Sequence, residues 1–347
     1  MENKRVLLGM SGGVDSSVSA ILLKNAGYEV IGITLKMHGE SGENMDSEAK
    51  KVCEKLGIPH YSYDYRNEFK KYVIDDFIAC YKDCKTPNPC IECNKYMKFG
   101  VMFEKAKELG CEYIATGHYA KAEFSKEYGK WVLEKSNSFK KDQSYVLWSI
   151  DKELIKHVLF PLSNFESKDE IREIAREYGL QVADKHDSED ICFIPDGNYR
   201  CFLEQNSDIK AKQGNIVDLN GKILGKHTGL YNYTIGQRKG LGISHPTPLF
   251  VLGFNKAKNE VIVGEEKDLY KSEILVSDVN LLLVDKIEGS LIVDVKTRYS
   301  SKLARAKIIE EDGNIRVLFD EPQRAITPGQ SAVFYIDDIV LGGGKIV

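Results

Sequence analysis

The chain opens on a short apolar run, Val6-Leu7-Leu8, that stops abruptly at glycine, the pattern of a strand buried on both faces of a parallel sheet. Apolar positions then recur at helical spacing through Val18, Ile21 and Leu22, and Val30-Ile31-Gly32-Ile33 supplies a second buried strand. Behind Asp46, a residue suited to cap a helix, Ala49, Val52, Cys53 and Leu56 fall at i, i+3, i+4 and i+7. Ile58 to Tyr63 and Tyr113-Ile114-Ala115 read as further strands. Strand and helix alternate through this half of the chain. The alternation predicts an α/β fold, a doubly wound parallel sheet with its ligand at the carboxyl ends of the strands.

Ser167-Lys168-Asp169-Glu170 forms a capping box ahead of Ile171, Ile174, Ala175 and Tyr178, the last clear helix of this half. From about Gly214 the texture changes. Short β-branched runs such as Ile216-Val217, Val261-Ile262-Val263, Leu291-Ile292-Val293 and Val333-Phe334-Tyr335 alternate with Gly, Asn and Asp turns. A boundary is placed in the polar stretch from Ser207 to Gln213 and another near 270. The expected architecture is a nucleotide-binding and catalytic domain over 1–208, a small β-rich domain over 209–270 and a C-terminal β-barrel over 271–347.

Composition narrows the class without naming a chemistry. A length of 347 residues with 42% hydrophobic and 29% charged residues suits an ordinary globular protein with two or three cores. No apolar run is long enough to span a bilayer, and the start lacks a signal-peptide pattern, so a cytoplasmic location without membrane attachment is expected. Eight cysteines in that setting point to reduced thiols in metal-binding or catalytic roles. A net charge of −4 argues against indiscriminate coating of nucleic acid, but leaves room for one RNA gripped by local basic patches.

Gly9-Met10-Ser11-Gly12-Gly13-Val14-Asp15-Ser16 joins the first strand to the first helix. Its glycines let backbone approach phosphate, and Ser11, Ser16 and the helix N-terminus offer donors to an anion. The loop holds no lysine and the chain has no G-x-x-x-x-G-K-[ST], which excludes a P-loop phosphotransferase. The segment Ser11 to Ser17, SGGVDSS, resembles the signature of the ATP pyrophosphatase family, whose members cleave ATP between the α and β phosphates and adenylate a substrate. The resemblance implies that Asp15 lies close to the pyrophosphate and its Mg²⁺.

Cys90-Ile-Glu-Cys93 follows Thr86-Pro87-Asn88-Pro89, where two prolines within four residues are expected to exclude helix and leave the thiols on a stiff exposed loop. Cys80 and Cys84 precede the pair, and Cys192 stands in Ser188-Glu189-Asp190-Ile191-Cys192-Phe193-Ile194. Three readings are open. One is a zinc site on Cys80, Cys84, Cys90 and Cys93. The second is inert buried thiols, accepted for Cys53, Cys111 and Cys201. The third is a sulfur-handling site joining the C-x-x-C to Cys192, since an adenylated carbonyl needs a nucleophile and a thiolate or persulfide is a good one.

TPNPCIECNKYMKF, TGHYA, KDQSYVLW, FPL, SEDICFI, YTIGQRKGLGI, RAITPGQ and the terminal LGGGKI occur in the order found in tRNA-specific 2-thiouridylases, and span nearly the whole chain. The resemblance implies ATP-dependent adenylation of the wobble uridine at O2, then sulfur transfer to C2 with release of AMP and pyrophosphate. The implied substrate is the anticodon arm of tRNA (Lys, Glu and Gln acceptors), with sulfur from a cysteine desulfurase or a sulfur-relay protein. Cys192 would carry the persulfide, and Cys93 would release the sulfur or close a disulfide. Two positions depart from the commoner pattern, which has aspartate in place of Cys90 and glycine in place of Cys84. Cys90 thereby completes a trio with Cys93 and Cys192 that could hold a 4Fe–4S cluster instead.

The same resemblance implies that Met37 and Gly117 contact the nucleotide. It implies further that Asn88, Pro89, His118, Lys141, Asp142, Gln143, Arg298, Tyr299 and Gln330 meet the tRNA. Independently, the loop from Tyr233 to Gly240 combines glycines with Arg238 and Lys239 and suits phosphates, while Lys296-Thr297-Arg298-Tyr299 pairs charge with an aromatic ring. A target uridine must leave its stack before chemistry. Two other classes fit fewer of these features: a synthetase that adenylates a small molecule, which needs neither the cysteines nor the β domains, and an RNA-binding scaffold on a vestigial nucleotide fold.

Overall fold

The computed structural model describes residues 4–39, 46–138, 141–184 and 191–347. Five parallel strands form its first sheet: β1 (Arg5–Gly9), β2 (Glu29–Lys36), β3 (His60–Asp64), β4 (Tyr113–Ala115) and, after the hairpin of β5 (Ala120–Ser125) and β6 (Lys130–Lys135), β7 (Val158–Leu159). Their spatial order is β3-β2-β1-β4-β7, so chain direction across the sheet reverses between β1 and β4. The carboxyl ends of those two strands flank the crevice where such sheets bind ligands.

Strand periodicity sorts the apolar residues onto two faces. Leu7, Ile31, Ile33 and Ile114 enter one core with Ile91, Phe99, Met102 and Ala106 of the helical segment 89–108. Val6, Leu8, Val30 and Ala115 enter the other, covered by the helices Val14–Asn25, Ser47–Leu56 and Lys168–Glu177 through Val18, Ile21, Val52, Cys53, Ile171 and Ala175. Asp46 precedes the second of these helices, but its carboxylate takes the Ser62 hydroxyl and the Lys36 ammonium rather than a helix N–H.

Two sequence expectations need correction. The segment after Pro87 is helical: Asn88 is the N-cap, accepting from the Cys90 N–H at 3.2 Å, and Pro89 occupies the first turn, where its missing N–H costs nothing. The chain continues from there through a wide π-helical stretch at Cys93–Val101 into Met102–Glu108. A further helix, Tyr199–Asn206, lies beyond the one taken as last. Asn198 caps it, and Phe202 and Leu203 join the cluster of Phe69, Phe77 and Phe193.

The middle part builds a four-stranded sheet from β8 (Gly214–Val217), β9 (Ile223–His227), β10 (Phe250–Asn255) and β11 (Glu260–Gly264), around Ile216, Val251, Val261 and Val263. The last part is a closed barrel of β12 (Tyr270–Leu281), β13 (Ser290–Lys296), β14 (Ala304–Glu311), β15 (Asn314–Arg324), β16 (Ser331–Ile336) and β17 (Ile339–Ile346), in the order β12-β15-β14-β13-β16-β17 with β17 returning to β12. The terminal glycines make that closure sterically feasible. A Cβ on Gly342 would stand 2.3 Å from Asn280 O, and one on Gly344 2.5 Å from Ser277 O.

The barrel is tied to the first sheet's domain at several points. The hairpin β5–β6 extends the barrel wall through Ile339 opposite Glu134. Asn280 Nδ2 donates to Trp148 O and Ile150 O, both at 2.8 Å. Lys345 of β17 reaches the buried carboxylate of Glu92, the residue before Cys93 in the C-x-x-C, at 2.9 Å. Replacing Lys345 by Met strands that carboxylate, and a buried charge stripped of its partner costs on the order of 3 kcal/mol. Urea unfolding should therefore show a lower midpoint for Lys345→Met, recovered largely by the double change with Glu92→Gln.

Candidate nucleotide and thiol site

Gly9 ends β1, Gly13 caps the first helix in extended backbone, and Met10 to Gly13 turn the chain between them. Gly12 has φ +74°, and a Cβ there would meet Glu48 Cβ at 2.9 Å, so only glycine fits. Serine hydroxyls shape the turn. Ser11 and Ser16 share a hydrogen bond between hydroxyls at 3.2 Å, the Gly13 N–H donates to Ser11 Oγ at 3.3 Å, and Ser17 Oγ donates to Gly13 O at 2.8 Å. Hydroxyls and the open first turn of a helix thus converge at the switch point, an arrangement that binds anions. Gly117, after β4, lies so close that its Cβ would come within 3.0 Å of Asp15 Cβ and 3.1 Å of Ser16 N. Met10 and Val14 differ from the rest of the loop, since their side chains are core.

Asp15 is held by two residues that sequence reasoning missed. Tyr119 donates its hydroxyl to Oδ1 at 2.9 Å, and Lys168 donates to Oδ2 at 2.9 Å. Tyr119 stood within the quoted TGHYA, and Lys168 within the capping box. Spacing along the chain gave no sign that either turns toward the loop.

The structure brings Cys90, Cys93 and Cys192 into one electrostatic neighbourhood. Cys90 and Cys192 are exposed, whereas Cys93 is buried with its sulfur 3.9 Å from Met37 Sδ. Burial pushes the Cys93 thiol up to about 12, opposed by Lys98 and reinforced by Cys192 and Cys90. Although Cys192 reaches solvent, the groups crowded around its sulfur raise that thiol too by desolvation, with Cys90 as the next cause and Lys98 opposing. Lys98, another residue the sequence reading passed over, is therefore the cation of this corner. The expected exposed loop of thiols is corrected to one exposed and one buried thiol of the C-x-x-C. Helical phase explains it, as Cys90 sits in the solvent-facing first turn and Cys93 faces Met97, Phe193 and Tyr231.

Cys80 and Cys84 do not join them. Cys80 faces Asp76 at 3.9 Å, and Cys84 sits near Lys256 and Asp83 at the far end of its helix. Among the described residues no three His, Cys, Asp or Glu side chains converge closely enough to hold a metal ion. The four-cysteine zinc site is thus not assembled here, and Cys90, Cys93 and Cys192 are not gathered around a single metal ion. Ser188, Glu189 and Asp190 lie outside the described residues.

Of the residues expected to meet RNA, His118 faces inward, and several others are half-buried and engaged within the chain. His118 is buried, shares a hydrogen bond with Thr116 Oγ1 at 2.8 Å and packs on Phe99 and Phe160; burial holds its imidazole well below the ordinary range and so neutral. Asp142 accepts from the Ser136 and Ser144 N–H groups and the Ser144 hydroxyl, and Gln143 Oε1 accepts from the Tyr119 N–H. Arg298 spends its guanidinium on Ala325 O and Thr327 Oγ1. Gln330 Nε2 donates to Thr86 O at 2.8 Å, so this barrel turn grips the strap leading to Asn88 and Pro89. Partly buried polar groups take such partners, and the remaining surface of Asp142, Gln143, Arg298 and Gln330 stays open to solvent.

Tyr299 does offer surface. It is 41% exposed and lies under Lys296 Nζ at 5.4 Å; burial of the rest of the side chain raises its hydroxyl, with the charges of Asp142 and Cys90 adding to the shift. Lys141 is half-buried on the same loop as Asp142. The glycine-rich basic loop lines a cavity of about 280 Å³ through Tyr233, Gln237 and Lys239, with Arg200 opposite.

Family models match the whole length in three parts: a tRNA methyl transferase HUP domain over 4–196, a tRNA methyl transferase PRC-barrel domain over 201–265 and an aminomethyltransferase beta-barrel domain over 271–346. The tRNA-specific 2-thiouridylase of Clostridium perfringens is 47% identical, over 100% of this chain and 99% of its own. That of Clostridioides difficile is 47% identical over 99% and 98%, and that of Desulfitobacterium hafniense 46% over 100% and 99%. The chain belongs to the tRNA-specific 2-thiouridylase family. A solved 4-thiouridine synthetase in complex with RNA and bound ATP is 20% identical with a TM-score of 0.37 over 58% of this chain and 50% of its own, too slight a likeness to argue from.

Family membership makes the thiols the residues to test. Alkylation of this 2-thiouridylase at pH 8 should label Cys90 well before Cys93 by peptide mass mapping. Because the folded Cys93 thiol titrates above the ordinary 9.0, its burial favours the fold below pH 9, and that contribution is lost as pH rises toward 12. Labelling of Cys93 should accelerate over that window. Equal labelling of Cys90 and Cys93 at pH 8 would contradict the geometry.

Proposed function

We propose that this protein is a tRNA uridine 2-sulfurtransferase that works through two steps in one crevice. MgATP enters the loop from Gly9 to Ser16, with Met37 and Gly117 bordering it. Carboxylate and hydroxyl oxygens are the hard ligands Mg²⁺ takes, and Asp15 and Ser16 supply them. The wobble uridine, turned out of its stack onto the surface marked by Tyr299, attacks the α phosphorus through its O2. Pyrophosphate leaves, and C2 now carries an adenylate. Charge developing on the phosphate is met by the loop's hydroxyls and backbone donors, which are already oriented.

Sulfur arrives as a persulfide on Cys192, loaded by a cysteine desulfurase or a relay protein. Its terminal sulfur attacks C2 and AMP departs with the original oxygen. The Cys93 thiolate then attacks Cys192 Sγ, breaking the S–S bond; the thiocarbonyl is left on the base and a Cys93–Cys192 disulfide remains. Lys98 favours the anionic form of both thiols. The observation that carries this reading is the placement of Cys93 and Cys192 within each other's field, one buried and one at the surface, in a chain whose full-length relatives are 2-thiouridylases. Cys90 adds a third, exposed thiol to this corner, and no step is assigned to it.

Incubation with ATP, a persulfide donor and unmodified tRNA should give 2-thiouridine by nucleoside mass spectrometry. Cys192→Ser should lower the rate by about a thousandfold or more, as loss of a covalent nucleophile does. Undiminished activity in Cys192→Ser defeats the scheme. Protein purified without oxygen should be active with neither iron nor acid-labile sulfide present, whereas activity that tracks bound iron would replace the persulfide route.

A further inference from the structure

Lys296 ends β13 with no internal acceptor for its charge. Among the described residues no carbonyl, hydroxyl or carboxylate lies within hydrogen-bond or ion-pair reach of its ammonium. Nζ stands instead over two tyrosine rings, 5.9 Å from the centre of Tyr145 and 5.4 Å from that of Tyr299. Ring faces attract a cation but leave its three N–H donors unmatched. The side chain is half-buried, and burial is the main influence pushing the ammonium below its ordinary range; Asp142 opposes that and Lys135 adds to it. Both neighbours are engaged elsewhere. Asp142 accepts from Ser136 and Ser144, and Lys135 donates to the Asp337 carbonyl and pairs with Asp338. As plain packing, a methionine would cover the same rings without the cost of desolvating a charge.

A cation kept where the fold opposes its charge is explained by an anion from outside. Its position indicates which one. Tyr299, the ring under Lys296, is 41% exposed, and Cys90 is among the charges felt by its hydroxyl. An exposed ring beside an ammonium is the pairing that holds unstacked nucleotides, base against the aromatic face and phosphate on the cation. We propose that Lys296 binds a phosphodiester flanking the target uridine and holds the backbone there while the base is out of its stack against Tyr299. The inference rests on the tRNA-thiolation reading above and deepens it by naming the group that anchors the displaced nucleotide. Arg298, two residues on, already commits Nη2 to Ala325 O and Thr327 Oγ1, whereas the Lys296 donors are uncommitted. A lysine suits the task, because a point charge on a flexible stem can follow a backbone that moves as the base turns out.

Anisotropy titration of the full-length protein with an anticodon stem-loop RNA bearing an unmodified wobble uridine tests this, using Lys296→Met and Lys296→Arg. The Met variant should bind the RNA about 5- to 30-fold more weakly, with Arg restoring most of the loss. Its slope of log affinity against log salt should be shallower by about 0.7, the share of one phosphate on a single strand. Its affinity for ATP should stay within about twofold of wild type. An uncharged methylphosphonate at one of the two phosphates flanking the uridine should weaken the wild type by the same factor and the Met variant no further. Penalties that add at both flanking phosphates, or a salt slope the substitution leaves alone, overturn the inference. So does a matching loss of ATP affinity, which would mean that the substitution disturbs the fold or the nucleotide site. A wild type that does not bind the RNA at all overturns the tRNA reading together with this one.

Discussion

The missing side chain of Gly117 governs the site. With backbone after β4 lying where a Cβ would strike Asp15 and Ser16 at 3.0 to 3.1 Å, the two halves of the sheet's switch point close on each other. That contact sets the Tyr119 hydroxyl against Asp15 and aligns the first helix's open turn with the crevice. Gly12 performs the same service on the other side, letting the helix Ser47–Leu56 abut the loop. Sulfur chemistry, by contrast, is organised from further away. The C-x-x-C helix is fixed by Lys345 of the barrel on Glu92 and by Gln330 on the strap before Asn88, so the third part of the chain positions the thiols of the first.

This arrangement separates two demands that conflict in one residue. A thiol that must accept sulfur from outside has to be reachable, as Cys192 is, whereas a thiol that must not react early is better buried, as Cys93 is. Burial supplies the restraint by disfavouring the thiolate, and Lys98 supplies a counterweight at both sulfurs. His118, beside the same cation, stays neutral because it is enclosed by Phe99 and Phe160. It is part of the wall behind the reaction.

Much of this was legible in the sequence, and the failures have physical causes. Buried parallel strands and the glycine loop announce themselves because continuous apolar runs and tight turns are local. The barrel was readable from its short β-branched runs, though nothing in residues 120 to 135 says that this hairpin adds to its wall. Prolines before Cys90 misled because Pro89 is harmless at the start of a helix, where Asn88 caps it. Asp142, Gln143, Arg298 and Gln330 were expected at the RNA only by resemblance. Each also holds a backbone or hydroxyl partner that only the folded chain brings near. Lys168 is the mirror case, a residue that reads as helix boundary and faces the nucleotide loop.

The account's central claim is that one uridine oxygen is activated by adenylation and then replaced by sulfur in the same crevice. Its most direct test uses tRNA carrying ¹⁸O at O2 of the wobble uridine, incubated with the protein, ATP and a persulfide donor. Mass spectrometry of the nucleotide products should find the label in the phosphate of AMP, in one-to-one yield with 2-thiouridine. Label in pyrophosphate or water, or 2-thiouridine formed beside unlabelled AMP, would contradict it.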